Sequence, residues 1–194
     1  MNVSNDLRMT VLAALFAALI AVGAFIAIPI GPVPIVMQNF FVLLTGLLLG
    51  PRWGLAACGV YLLAGGLGLP VFAGGTGGLG RFFGPTGGYL LAYLPAVFLT
   101  GYLSQNKKHP MVWDAIAMIL ASMVIYGLGV SWLKISTGMD WSKAVTVGML
   151  PFLLGDVLKI VAAVVVARAA RPMIGHYTNS DQLSQRVEPG KAGL

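Results

Sequence analysis

The stretch MTVLAALFAALIAVGAFIAI, residues 9–28, carries no charge and is long enough to cross a lipid bilayer as one α-helix. No small-x-small cleavage site followed by a polar mature domain comes after it, so we do not interpret it as a signal peptide. It predicts the first helix of an integral membrane protein.

The composition of the whole chain agrees with this interpretation. Of 194 residues, 58% are hydrophobic and 9% are charged, and the mean hydropathy is +0.87, whereas a soluble domain is about a quarter charged. At about 20 apolar residues per crossing, six helices would use about 120 residues and leave the rest for connections. Gly, Pro and charged residues delimit six apolar stretches, near residues 9–28, 36–50, 53–69, 86–104, 111–133 and 144–170.

These lengths predict an all-α fold, a compact bundle of six transmembrane helices within residues 1–171. The tail over residues 172–194 is polar and lacks a periodic apolar face, which is typical of a disordered cytoplasmic end. Helix two is short, so we expect the Pro-rich segment before it, residues 28–34, to dip into the protein instead of looping into solvent.

The basic residues predict the orientation. Six spans put both termini on one side, and eight of the 12 Lys and Arg residues fall on that side. Arg81, Lys134 and Lys143 fall opposite, and Lys159 lies within a span. The positive-inside rule then places both termini in the cytoplasm, in a multi-pass protein of the cytoplasmic membrane.

Several activities are disfavoured by missing motifs. The sequence contains no G-x-x-x-x-G-K-[ST] string, so ATP-driven work would need another chain. It also contains no G-x-S-x-G, no H-E-x-x-H and no pair of carboxylates within a span. The single Cys58 can form neither an internal disulfide nor a cysteine-based metal cluster. We therefore expect neither an enzyme nor a bound metal or cofactor.

A glycine-rich loop is the first candidate for a binding site. Eleven glycines lie between residues 65 and 88, and the segment ends in GRFFGPTGGY, residues 80–89. Its G-x-G-x-x-G, residues 75–80, lacks the strand and βαβ unit of a dinucleotide site. A loop this long in a compact domain is usually a lid or a binding loop, with Arg81 as the charge inside it. The alternative is a flexible connector with Arg81 solvated at the lipid headgroups.

Two ionisable residues in the last helix form the second candidate. Asp156 and Lys159 lie three residues apart and therefore on one helix face. Charges at that depth are costly unless they are paired or face water, which indicates a functional site. A carboxylate only accepts hydrogen bonds and an ammonium only donates them, so together they suit a ligand with both donors and an acceptor. The alternative is an internal ion pair that joins helices.

Neutral polar and aromatic residues extend this candidate site. Gln38 and Asn39 lie at the start of helix two, on the same side as the Arg81 loop, where they could bind a ligand or equally cap the helix. Some aromatic residues could wall an apolar pocket, although such residues are also common interface anchors. They are Phe72, Phe82, Phe83, Tyr89 and Tyr93.

Ala13, Ala17 and Ala21 recur every four residues along helix one. Small residues at this period let another membrane helix approach closely. The spacing leaves open whether that neighbour is internal or belongs to another protein.

The segment GRFFGPTGGY, with GLPVF at residues 68–72 and GDVLK at residues 155–159, resembles the BioY family. Members of that family are the biotin-specific substrate-binding subunits, or S components, of energy-coupling factor (ECF) transporters. The likeness runs from about Leu7 to Ala170 and includes GPVPI, residues 31–35. It implies that the residues binding biotin are Arg81, Asp156 and Lys159.

The resemblance also implies partners. In such uptake complexes the S component captures the vitamin outside the cell, while a membrane scaffold protein and two ABC-type ATPases supply the energy. The S component is thought to topple within the membrane, and the face of helix one with Ala13, Ala17 and Ala21 would meet the scaffold. Some members of the family are thought to work without dedicated partners.

Two other interpretations remain open. One is a self-sufficient secondary transporter of biotin or another small anionic solute, which would be driven by an ion gradient. The other is a structural or assembly membrane protein, which would bind no vitamin.

Overall fold

The computed structural model describes residues 3–29, 31–104 and 110–186, and most of them are helical. The elements in chain order are α1 (Val3–Phe25), β1 (Ala27–Ile28), β2 (Ile35–Val36), α2 (Gln38–Gly66), α3 (Gly80–Phe83), α4 (Gly87–Leu103), α5 (Pro110–Thr137), α6 (Trp141–Gly148) and α7 (Leu150–Arg186). The predicted all-α class is confirmed, since the strands in the described ranges are two residues long.

Helix α2 is a hairpin of two antiparallel arms. Its backbone leaves the helical conformation at Gly50, where φ is 75° and ψ is −176°, a region that favours glycine. The side chain of Gln38 donates a 2.7 Å hydrogen bond to the hydroxyl of Tyr61, although a straight helix would separate them by about 34 Å. The arms, α2a (38–49) and α2b (51–66), correspond to the predicted helices two and three.

Glycines allow the hairpin to pack closely on itself and on α4. A Cβ atom on Gly54 would lie 3.5 Å from the Cα atom of Gly46, which locates the two arms against each other. A Cβ atom on Gly46 would lie 2.7 Å from the carbonyl oxygen of Val97, and one on Gly101 would lie 2.5 Å from the backbone of Gly50. Larger residues would force α2 and α4 apart.

Six helices of the predicted bundle are present in the described ranges: α1, α2a, α2b, α4, α5 and α7. Four stretches are long and apolar enough to cross a membrane, namely Asp6–Phe25, Gln38–Gly66, Met111–Thr137 and Trp141–Pro172. The second of these contains both arms of α2, and α4 is a shorter apolar helix. The protein is therefore an all-α membrane protein, and six of its helices in the described ranges correspond to the predicted ones.

The connection between α1 and α2 folds inward. Helix α1 ends at Phe25, earlier than predicted, because the following residues pair as an antiparallel ladder with Ala27 opposite Val36 and Ile28 opposite Ile35. Val33, in the Pro-rich segment between the strands, is buried in the core. As expected, this segment therefore enters the protein at Val33.

The glycine-rich connection between α2 and α4 is compact. The ring of Phe72 packs edge-on against the rings of Tyr61 and Phe82, with centroids 5.6 Å apart in both pairs. A Cβ atom on Gly65 would lie 2.2 Å from the Phe72 ring, so glycine is needed there. The backbone N–H of Phe72 bonds the carbonyl of Thr76 at 2.8 Å and closes a tight turn. This packing orders the segment that carries Arg81.

The predicted sixth helix is divided in two. Helix α6 begins after Asp140, whose side chain caps it by accepting from the backbone N–H of Lys143 at 3.1 Å. The chain departs from helical geometry at Met149, and α7 follows. Helix α7 continues through Pro172 as far as Arg186, into the segment expected to be a disordered tail. Residues 187–194 lie outside the described ranges.

The alanines of α1 face the protein, in contrast to the role that the resemblance implied for them. Ala13 and Ala17 are buried in the hydrophobic core, at 5% and 7% exposure, and Ala21 is half-buried against it. Because α1 packs its Ala13–Ala17 face on the rest of the bundle, that face is an internal contact. Within residues 6–25 of α1, the exposed small side chains are instead those of Thr10, Ala14 and Ala18.

A partly buried ion pair joins three helices near the Gly50 turn. The two terminal guanidinium nitrogens of Arg171 on α7, Nη1 and Nη2, each donate to the carboxylate of Asp114 on α5 at 2.7 Å. Nη2 also donates to the carbonyl of Leu47 in α2a at 3.2 Å. Asp114 is 1% exposed. We call Asp114, Arg171 and Leu47 the base cluster. The sequence analysis did not single it out.

Candidate functional site

A cavity lies between the α1–α2 connection, the glycine-rich loop and helices α4, α5 and α7. Its volume is about 140 Å³. Its apolar walls include Val33, Phe72, Leu90 and Phe152. The cavity and the base cluster lie at opposite ends of the bundle, since cavity-lining Tyr126 is 12 residues, or about 18 Å, along α5 from Asp114.

Three tyrosines line the cavity, and each donates its hydroxyl hydrogen to the protein. The acceptors are the carbonyl of Gly148 for Tyr89 at 2.8 Å, Oδ1 of Asn39 for Tyr93 at 2.7 Å, and the carboxylate of Asp156 for Tyr126. A hydroxyl has one hydrogen to donate and two lone pairs that accept. With those hydrogens engaged, the tyrosine oxygens can offer only acceptor lone pairs to a ligand.

Two amide side chains complete the polar lining. Gln38 is 2% exposed and donates through Nε2 to Tyr61, which leaves its Oε1 as an acceptor. Asn39 accepts from Tyr93 through Oδ1, which leaves its Nδ2 hydrogens as donors. Neither caps the helix, because the N-cap residue of α2 is Met37 and its cap lacks a side-chain hydrogen bond. Their place is therefore in the cavity wall, one of the two alternatives left by the sequence.

Asp156 and Lys159 are brought together, but they bind each other. Lys159 Nζ lies 3.1 Å from Oδ1 of Asp156 and donates to the carbonyl of Val36 at 2.9 Å. Both side chains are almost fully buried, and neither is among the residues that line the cavity. The internal ion pair that the sequence left as an alternative is thus present, directly behind the cavity-lining Tyr126.

Arg81 lies on α3 at the mouth of the cavity. Its side chain is exposed and lines the cavity, and no ion pair to it occurs within residues 3–29, 31–104 and 110–186. An unpaired guanidinium at this position can bind a carboxylate through two parallel hydrogen bonds. Arg81 therefore supplies positive charge at the entrance to a largely apolar space.

Among the aromatic candidates, Phe83 does not lie where the sequence analysis predicted it. It is 75% exposed and is not a lining residue, because the single turn of α3 directs Phe82 inward onto Phe72 and leaves Phe83 outside. Tyr89, Tyr93 and Phe72 do line the cavity, as the sequence allowed.

Tyr126 is the site residue that sequence analysis missed. It is the single tyrosine of the apolar helix α5, and it lies 30 residues before the Asp156 that it contacts. A single phenol in an apolar span was a usable signal, because its hydroxyl needs a partner inside a membrane protein. Nothing local in the sequence indicates which partner that is.

This fold and this cavity define a membrane-embedded helical bundle with a small-molecule site at one end. A model of the BioY family matches residues 1–176. The chain belongs to the BioY family.

Named relatives and a solved structure extend this assignment. The chain is 43% identical over 156 residues to the probable biotin transporter BioY of Pyrococcus horikoshii, covering 80% of this chain and 91% of that one. It is 42% identical to the biotin transporter BioY of Thermotoga maritima, covering 83% and 94%. Its fold matches the crystal structure of the S-component for biotin from an ECF-type ABC transporter, with a TM-score of 0.82, 31% identity, and coverage of 89% and 95%.

Proposed function

We propose that this protein captures biotin and serves its uptake across the membrane as the substrate-specific S component of an ECF transporter. The observation that carries the proposal is the cavity itself, which combines one unpaired guanidinium at its mouth, apolar walls, and an inner lining of hydrogen-bonding groups. Family membership and the likeness to a biotin S component support the same conclusion.

The three chemical parts of biotin match three parts of the cavity. The carboxylate of its tail suits Arg81, which is exposed at the mouth. Its thioether ring suits the apolar walls around Phe72 and Phe152. Its ureido ring has two N–H donors and one carbonyl acceptor, which suit the tyrosine oxygens and the Nδ2 hydrogens of Asn39. In this arrangement the tail points toward solvent and the ring system lies deepest.

The pair Asp156 and Lys159 supports this site from behind. The sequence predicted direct contact of both charges with the ligand and left an internal ion pair as the alternative. Asp156 and Lys159 bind each other, and Lys159 also donates to the carbonyl of Val36, so the contacts seen for the two charges lie within the protein. We assign the pair to holding the cavity wall in place, with the carboxylate of biotin on Arg81.

The relatives are named as transporters, which agrees with the expectation that this protein is not an enzyme. Energy for uptake would come from other chains, a membrane scaffold protein and two ABC-type ATPases. We place the scaffold contact on the outer face of α1, where Ala14 and Ala18 are exposed four residues apart. Small residues at that spacing allow a partner helix to approach closely.

The proposed location is the cytoplasmic membrane, and the proposed orientation has both termini in the cytoplasm. Arg52 follows the Gly50 turn, and Arg171 bonds Leu47 next to the same turn, so these cations share the end of the bundle that is remote from the cavity. The positive-inside rule assigns that end to the cytoplasm. The cavity then opens to the outside.

Calorimetric titration of the purified protein with biotin tests the proposal. We expect saturable binding of biotin and no comparable binding of valeric acid, which has a similar tail but no ureido ring. Absence of biotin binding would refute the proposed function and favour a structural role. Ion-gradient-driven uptake in vesicles that contain only this protein would instead indicate a secondary transporter.

A further inference from the structure

An apolar groove runs along the outside of the bundle between α2b and α4, at the end that carries the cavity mouth. Its volume is about 250 Å³, and the nine described residues that line it are six leucines, two glycines and one phenylalanine. Gly59 leaves space in it, because a Cβ atom there would meet nothing beyond its own helical turn within 4 Å. These lining side chains neither donate nor accept hydrogen bonds, so the groove suits a hydrocarbon occupant.

The groove lies at the depth of lipid tails. Gly59 and Gly66, which both line it, belong to Gln38–Gly66, a stretch long and apolar enough to cross a membrane. The seven residues between them correspond to about 10 Å along α2b, so the groove follows the helix from the glycine-rich loop toward the centre of the span. With the cavity open to the outside, as proposed above, the groove faces the outer leaflet.

Long leucine side chains form the rim of the groove. Leu63, Leu67 and Leu79 are 68%, 87% and 68% exposed. Close contacts between membrane helices are made by small residues, so these leucines would hold a partner helix away from the glycines. A single acyl chain is narrow enough to pass between them. The rim therefore favours a lipid over a protein segment as the occupant.

The groove shares a wall with the cavity. The ring of Phe82 lines the groove and packs edge-on against the ring of Phe72, which lines the cavity, with centroids 5.6 Å apart. Phe82 belongs to α3, the single turn that carries Arg81, and none of the four residues of α3 is buried. An occupant of the groove would give Phe82 a second apolar surface and so add packing to a turn that has little of its own.

We infer that the groove binds one acyl chain of an outer-leaflet phospholipid, and that this chain holds Phe82 against Phe72 and fixes the turn that carries Arg81. The lipid site rests on the groove alone. Its effect on the function of Arg81 rests on the proposed function.

Photolabelling tests the lipid site. The protein is reconstituted into vesicles of a phosphatidylcholine that carries a diazirine midway along one acyl chain, and labelled peptides are mapped by mass spectrometry after illumination. Residues 59–67 and 79–94 should be labelled more strongly than the exposed face of α7 over residues 157–166. In Gly59→Phe this excess should fall to the level of the α7 face, because the added ring fills the groove.

Val60→Phe is the matched control. Val60 is 51% exposed on the same helix and does not line the groove, so this variant should be labelled as the parent is. If Gly59→Phe does not fold, Leu91→Trp replaces it, since Leu91 lines the groove from α4 and is 46% exposed.

Two results would overturn the lipid site. One is equal labelling of the groove and the α7 face in the parent, or an excess that persists in Gly59→Phe. The other is a disulfide-linked dimer formed on oxidation of Leu63→Cys but not of Val60→Cys, which would assign the groove to a second copy of the chain.

Biotin affinity tests the effect at the mouth. The parent should bind biotin about 2- to 10-fold more weakly in a steroid detergent, which has no acyl chain, than in lipid nanodiscs, the equivalent of one aromatic contact. Gly59→Phe should lose less, because its ring stays in the groove. Equal losses would overturn the role of the chain at Arg81. Absence of biotin binding by the parent in nanodiscs would refute the proposed function, and photolabelling would still decide the lipid site.

Discussion

Nζ of Lys159 lies 2.9 Å from the carbonyl oxygen of Val36, a residue 123 positions earlier in the chain. Through this bond the last long helix holds the short strand that leads into α2, while the same ammonium neutralises Asp156. One cation thus stabilises both a buried carboxylate and the inward fold of the α1–α2 connection.

Lys159→Met should destabilise the protein by about 3–5 kcal/mol, since removing one partner leaves Asp156 as an uncompensated buried charge. Thermal unfolding in detergent measures the effect. The double variant Asp156→Asn, Lys159→Met should recover part of the loss, because it removes the charge as well as its partner. Lys143→Met, at an exposed position, is the control. Parent-like stability of Lys159→Met would mean that the ion pair is not a structural contact.

Arg81→Ala should weaken biotin binding by about 10- to 100-fold, the range expected for a charge-assisted contact to a carboxylate. The same substitution should have a much smaller effect on the binding of biotin methyl ester, which lacks the negative charge. Calorimetry with both ligands measures this difference, and Lys143→Ala controls for a general change in surface charge. An equal loss for acid and ester would place the carboxylate away from Arg81.

Tryptophan substitutions on α1 should separate an outer surface from the core. Ala18→Trp should leave folding and biotin binding intact and weaken co-purification with the scaffold and ATPases, because its side chain is exposed. Ala17→Trp should instead destabilise the fold, since Ala17 is 7% exposed in the core. Leu15→Trp is an exposed control away from the small-residue spacing. Normal complex assembly by Ala18→Trp would remove this face from the proposed partner surface.

Cysteine labelling should determine the orientation. The single native cysteine, Cys58, is buried, so new cysteines can be added without removing it. In intact cells a membrane-impermeant maleimide should label Lys143→Cys and should label Arg52→Cys only after permeabilisation. Labelling of Arg52→Cys alone in intact cells would invert the proposed topology.

The helices were predictable because apolar length and its interruptions carry most of the information about a membrane bundle. Gly50 and Pro51 marked the boundary between the second and third helices, and the structure turns at Gly50. Boundaries elsewhere depended on contacts distant in sequence. The pairing of Ala27 with Val36 ends α1 early, a contact that no local pattern in either segment reveals.

The site was predictable where a residue is unusual for its surroundings. Asp156 and Lys159 stand out as charges in an apolar span, and they meet in the structure. Which of their contacts face a ligand depends on α5, because Tyr126 covers the carboxylate. For alanines the sequence is less informative. Ala17 and Ala18 are neighbouring residues of the same type, and only the packing of the bundle on one side of α1 makes the first buried and the second exposed.

The base cluster closes the end of the bundle that is remote from the cavity mouth. A ligand held beside Tyr126 could leave past Asp114 only if the bidentate bond between Asp114 and Arg171 broke. The tightly packed glycines of α2 and α4 would have to separate as well. Departure through the mouth breaks none of these contacts. Release on the other side of the bilayer without breaking these contacts would require the mouth itself to turn toward that side.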